Sequence, residues 1–155
     1  MQEELMREAI ALSIENVRSG RGGPFAAVLA KDGTVIGRGV NLVTATNDPT
    51  AHAEVAAIRA ACQALGCFHL IGCELYTTCE PCPMCLGAIY WARLARYYYG
   101  NTRADAARIG FDDARIYQEL ARLPEERAVV GVRLLPHEAA EAFKEWVHAP
   151  VKVPY

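Results

Sequence analysis

The sequence predicts an α/β domain: a three-layer α/β/α sandwich with helices on both faces of a central mixed sheet of about five strands. Three observations predict it. Helical and strand patterns alternate through the middle of the chain, two apolar runs flank an Asp-Gly pair near the front, and 155 residues, just over half of them hydrophobic, suffice for one domain with its own core.

Each element has a local reason. Over residues 2–18, Leu5, Ala9 and Leu12 share one face with Met6, Ile10 and Val17 beside them, which is helical spacing. SGRGGP breaks that helix. FAAVLAKDGTVIGRGVN is two apolar runs around Asp32-Gly33, a hairpin signal. NDPT is turn chemistry, Thr50 is the candidate cap of a helix from about Ala51 to Leu65, and Gly66 is its stop. CELYTT reads as a strand. Residues 82–93 read as a helix with Pro83 in its first turn, where a missing N–H costs nothing. ARYYYG is a further strand, GFDD a loop and ARIYQEL a short helix. RAVVGVRLL supplies the fifth strand, HEAAEAFKEWVHA the last helix, and PVKVPY an extended tail. Trp91 and Tyr97 to Tyr99 are assigned to core and sheet packing.

Composition excludes several classes. A formal charge of −2 argues against a coat for nucleic acid or anionic membrane. No apolar run approaches the roughly 18 residues of a membrane span, and the acidic amphipathic start lacks the features of a signal peptide. The expected compartment is the cytoplasm, where disulfides are disfavoured, so the six cysteines are read as buried thiols or metal ligands.

The chemistry concentrates in TCEPCPMC. Cys82 and Cys85 stand at i and i+3, on one face of a helix N-terminus, where the dipole favours thiolate. Two thiolates do not complete the four-ligand shell of zinc. His52, at the start of the preceding helix, is the third candidate. If both helices pack side by side on the sheet, their N-termini emerge at the same end and the three ligands converge. Cys79 competes, because with it the set becomes a closed Cys3His structural site. Against that, Pro81 separates Cys79 from the helical pair, and Glu54 lies two residues after His52. A closed structural zinc has no use for a free carboxylate, whereas water activated for hydrolysis must lose a proton to one. His52, Cys82, Cys85 and Glu54 together match the HxE and PCxxC signature of zinc deaminases, with the fourth position open to water.

With these residues the chain resembles the cytidine deaminase superfamily, and GGPFAAVLAKDG, NDPTAHAEVAAIR, CEPCPMCLGAIYWAR, GFDD and the terminal Tyr155 are similar to its bacterial guanine deaminase branch. The resemblance implies a cytidine-deaminase-like fold, one zinc per subunit and hydrolysis of guanine to xanthine and ammonia. It also implies roles for residues. His52, Cys82 and Cys85 hold the zinc, and Glu54 moves the proton from water to a purine ring nitrogen. Asp113 binds the 2-amino group and helps protonate it, Asn41 binds the purine edge, and Phe25 stacks near the ring. A homodimer is implied in which a C-terminal tail, residues about 148–155 of a single domain spanning 1–155, crosses to the partner so that Tyr155 completes its pocket.

Other readings of these residues stay open at this level. The Asp pair of GFDD could cap the following helix, and Asp112 could replace Asp113 in the pocket. Asn41 could simply close the hairpin, and Phe25 could be core. Guanosine deaminase shares the HAE, PCxxC and FDD elements, whereas a tRNA adenosine deaminase shares only the zinc motifs and is not expected to carry FDD. A non-catalytic zinc module is the remote alternative.

Overall fold

The protein is described here by a computed structural model covering residues 1–155. It divides into two units, Met1–Asp113 and Ala114–Tyr155.

The first unit is built on one mixed sheet. Helix α1 (Gln2–Arg18) precedes the hairpin of β1 (Ala26–Lys31) and β2 (Thr34–Val40), joined through Asp32 and Gly33, both at positive φ as the Asp-Gly signal demands. A one-turn helix, α2 (Val43–Thr46), leads to α3 (Ala53–Leu65), which Gly66 terminates in the left-handed conformation. Then follow β3 (Cys73–Cys79), α4 (Pro83–Trp91), β4 (Arg96–Asn101) and α5 (Arg103–Arg108). The strands lie in the order β2-β1-β3-β4, antiparallel except for the parallel β3/β4 pair.

Alternation along the strands divides the core between two faces. Val28, Ala30 and Tyr76 pack against Leu5 and Ala9 of α1. Ala27, Leu29, Cys73 and Leu75 pack on the opposite face against Ala53, Ala57 and Ala61 of α3, Ile89 within α4 and Ala92 just beyond it. Each fully buried Leu contributes about 1.5–3 kcal/mol relative to exposure. The contact of α3 with β2 is unusually close. A Cβ on Gly39 would lie 2.1 Å from the Ala53 carbonyl oxygen, and one on Gly37 would lie 2.6 Å from that of Ala57. Glycines two apart on the strand therefore seat the alanine stripe four apart on the helix.

Several expectations change. The sheet has four strands, because residues 127–135 form no ladder. The amide of Ala128 donates to the Glu119 carboxylate and that of Gly131 to the Pro124 carbonyl, while Val129 and Val132 are exposed. An apolar β-branched run becomes a strand only where an edge receives it. Thr50 does not cap α3: it donates to Asp48 from both its amide and its hydroxyl, and His52 occupies the cap position. Trp91 is exposed rather than core, as is Tyr99, whereas Tyr97 and Tyr98 are half-buried beside the two cores. Helix α5, absent from the sequence reading, begins with a capping box in which Thr102 and Asp105 exchange hydrogen bonds.

The second unit comprises α6 (Ala114–Leu120), a 3-10 turn at Pro124–Glu126 and α7 (Pro136–His148). None of its residues is buried, and Phe143, Trp146, Val147, Val151 and Val153 are exposed. No helix of the chain is long and apolar enough to cross a membrane.

Candidate active site

Two helix N-termini meet at the C-terminal ends of β2 and β3. β2 runs parallel in direction to β3, both being antiparallel to β1, so the helix that follows each strand starts from the same edge of the sheet. His52 is the N-cap of α3 and Cys82 the N-cap of α4, and neither helix has a side-chain cap. The free amides of both first turns consequently face a common space with their positive dipole ends.

The three ligand candidates converge there. His52 Nδ1 lies 3.5 Å from Cys82 Sγ and 3.5 Å from Cys85 Sγ, and the three ligand atoms lie within 4.8 Å of one another. A tetrahedral zinc with ordinary Zn–S and Zn–N bonds requires an N···S edge of about 3.6 Å. Both N···S edges therefore fit a zinc held through Nδ1 of the histidine. A hydrogen bond from Cys85, followed by its contact with His52, holds the Cys82 thiol down to about 4. The same bond pushes Cys85 up, so the pair without metal keeps one proton that metal binding must release. Its hydrogen bond to Cys82 raises His52.

Cys79 stands apart, as expected. It ends β3, is buried, and directs its thiol toward the Thr102 carbonyl at 3.7 Å. Burial pushes that thiol up to about 11.

Glu54 occupies the first turn of α3 and is 6% exposed. One carboxylate oxygen accepts from Cys85 Sγ at 3.4 Å and the other from Thr77 Oγ1 at 3.1 Å. Burial raises its carboxyl above the ordinary range. Thr77 was not singled out from the sequence. Its signal is the strand alternation, which puts it on the α3 face with Leu75.

The remaining candidates flank this centre. Asn41 directly follows β2 and is buried; its amide N–H donates to the Phe25 carbonyl at 3.0 Å, and its Oδ1 accepts from the Val43 amide at 3.3 Å. Phe25 packs on the α3-side core and meets Phe111 edge-on, with ring centroids 4.9 Å apart. Phe111 lies within the GFDD motif but received no role from sequence. Asp113 is half-buried; burial raises its carboxyl first, and the negative charge of Cys82 raises it further. Asp112 beside it is exposed. Tyr155, which ends the second unit, is exposed.

Comparison with known proteins agrees with this arrangement. Residues 1–101 match the family described as the cytidine and deoxycytidylate deaminase zinc-binding region. The guanine deaminase of Bacillus subtilis is 51% identical over 144 residues, covering 93% of this chain and 92% of that protein. The crystal structure of guanine deaminase from Bacillus subtilis superposes with a TM-score of 0.96 at 49% identity, covering 99% of this chain and 98% of the other. A tRNA-specific adenosine deaminase of Agrobacterium fabrum is 56% identical, but over 77 residues, about half of each chain. With a family match over most of its length and three ligands set at the spacing zinc requires, the chain belongs to the zinc-binding cytidine and deoxycytidylate deaminase family.

Proposed function

We propose that the protein hydrolyses guanine to xanthine and ammonia, as a hydrolase acting on a cyclic amidine C–N bond. The observation that carries the chemistry is the buried Glu54 carboxyl, held by Thr77 beside the His52, Cys82 and Cys85 donors. Guanine as the base is supported by identity to a guanine deaminase along nearly the whole chain, whereas the tRNA deaminase likeness stops at about half.

His52, Cys82 and Cys85 would hold the zinc. When bound, it supplies the Lewis acidity that makes water nucleophilic near neutral pH. Glu54 accepts a proton from the attacking water and delivers it to a purine ring nitrogen as C2 becomes tetrahedral. Its burial suits a group that must hold a proton and then release it. Asp113 accepts from the 2-amino group, takes up the proton that the C2 hydroxyl gives up as the carbonyl forms, and passes it to the amine as ammonia departs. Burial raises its carboxyl, which suits a group that takes up and releases a proton. Asn41, whose Oδ1 is engaged by Val43, presents its amide nitrogen to an acceptor on the purine edge. Phe25, braced by Phe111, stacks near the ring.

The whole chain, 1–155, serves as one deaminase domain within a homodimer. A C-terminal unit with no buried residue and with Phe143 at 77% and Val151 at 83% exposure needs cover, which a second copy supplies. Residues about 148–155 cross to that copy, where Tyr155 closes the purine pocket and rejects a ribose on N9. All six cysteines are free, which suits the reducing cytoplasm.

The test is ammonia release from guanine, guanosine and adenosine in parallel, with Glu54→Ala as the control. Release from guanine alone, lost in the variant while zinc stays bound, is the expected result. Release mainly from guanosine would overturn the free-base pocket, and release from none would overturn the substrate class.

A further inference from the structure

Asn16 is the most deeply buried uncharged polar side chain of the first unit, with 0% exposure, and it lies on α1, remote in sequence from the zinc motifs. Its Nδ2 donates to two backbone carbonyls, that of Gly23 at 3.0 Å and that of Asn41 at 2.8 Å. Those two bonds determine which end of the amide is nitrogen. The cost is visible on the other end, because Asn16 Oδ1 is buried without a partner. An acceptor buried without a protein partner is unfavourable, and the two donated bonds offset it.

What they hold is a closed circuit. The Phe25 amide donates to the Gly23 carbonyl at 2.8 Å, and the Asn41 amide donates to the Phe25 carbonyl at 3.0 Å. With Asn16 bridging Gly23 and Asn41, the loop before β1 and the residue after β2 are tied at both ends. The tie is tight enough to require a bare backbone next to it. A Cβ on Gly22 would lie 2.1 Å from the Asn41 carbonyl oxygen and 3.1 Å from Asn16 Nδ2.

We infer that Asn16 is a positioning residue for the purine. Resting on the reading of Asn41 and Phe25 as purine contacts, it sets where the Asn41 amide and the Phe25 ring stand relative to each other. It touches neither substrate nor metal. Its effect is exerted on binding of the base, through Asn41, rather than on the zinc ligands or Glu54, which sit on other elements.

The test is a double-mutant cycle on the full-length zinc enzyme with guanine, using Asn16→Leu, Asn41→Ala and both together. Leucine keeps the heavy-atom branching and excludes water, but is bulkier and donates nothing. Loss of a well-placed base-edge contact is worth between about fivefold and a hundredfold. Asn16→Leu is therefore expected to raise KM by roughly tenfold, with kcat within about threefold and zinc content unchanged. In the Asn41→Ala background the same substitution is expected to change KM by less than about twofold, because the group it positions is already gone. A lowered melting temperature with wild-type KM would make Asn16 purely structural and overturn the inference. So would a KM effect of undiminished size in the Asn41→Ala background. Should Asn16→Leu fail to fold, Asn16→Ser, which keeps one donor, carries the same comparison. An Asn41→Ala enzyme with unchanged KM would overturn both the inference and the role of Asn41, which separates the two failures.

Discussion

The seam between β2 and α3 offers a sharp perturbation. Gly39→Ala adds one methyl whose carbon would lie 2.1 Å from the Ala53 carbonyl oxygen, 2.5 Å from the Ala57 nitrogen and 2.9 Å from the Ala56 Cβ. Carbon–oxygen contacts in proteins settle at about 3.3–3.6 Å, so the helix must withdraw by about 1 Å. No flexible side-chain tip can yield instead, since the two nearest obstacles are backbone. Ala53 sits between His52 and Glu54, so the withdrawal moves the metal ligand and the proposed proton shuttle together. Overpacking of this kind costs about 1–3 kcal/mol, or roughly 2–12 °C of melting temperature for a chain of this size. A displacement of about 1 Å at a reacting centre costs on the order of 100-fold in rate. The assay is a thermal melt, zinc content and kcat/KM for guanine on the same preparations. Gly87→Ala is the control: it lies in α4 with nothing within 4 Å of its new Cβ, so activity should hold and the melting temperature should stay or rise slightly. A Gly39→Ala protein with wild-type kcat/KM and melting temperature would refute the claim that helix position at this seam sets the site.

Thr77→Val removes a hydrogen bond that favours the charged form of Glu54, so it raises that carboxyl further. As the proposed base, Glu54 works only above its pKa, and the acid limb of the kcat/KM profile should therefore move to higher pH, by about 1–2 units for a bond to a charged group of about 1.5–3 kcal/mol. An unmoved limb would remove Glu54 as the titrating base. Cys85→Ser is expected to lose zinc and activity, while Cys79→Ser keeps one zinc per chain and activity within a few-fold, both read by metal analysis; zinc loss from the second would bring Cys79 into the ligand set. Mixing an inactive Glu54→Ala protein with one lacking Tyr155 should restore activity through mixed dimers, since one of the two sites then has both residues. Activity that stays absent after subunit exchange would argue that the tail does not cross.

Where information is local, the sequence was sufficient. The Asp32-Gly33 turn, the Gly66 stop, the spacing of α1 and the Cys82/Cys85 pair each depend on a few neighbouring residues whose backbone preferences or helical periodicity leave one geometry. The convergence of His52 with that pair was also legible, because two helices packed side by side on one sheet bring their N-termini to the same end. The tertiary structure decided what depends on partners distant in sequence. RAVVGVRLL has strand composition but its amides are taken by Glu119 and Pro124, so the sheet stops at four. Thr77 reaches Glu54, Asn16 ties Gly23 to Asn41, and glycines at 37 and 39 admit the alanines of α3, none of which has a local signature. Residue type and spacing sufficed for the zinc chemistry because its ligands must be particular side chains. Packing and hydrogen-bond partners needed the fold, because many sequences satisfy the same local pattern and only three-dimensional proximity selects who meets whom.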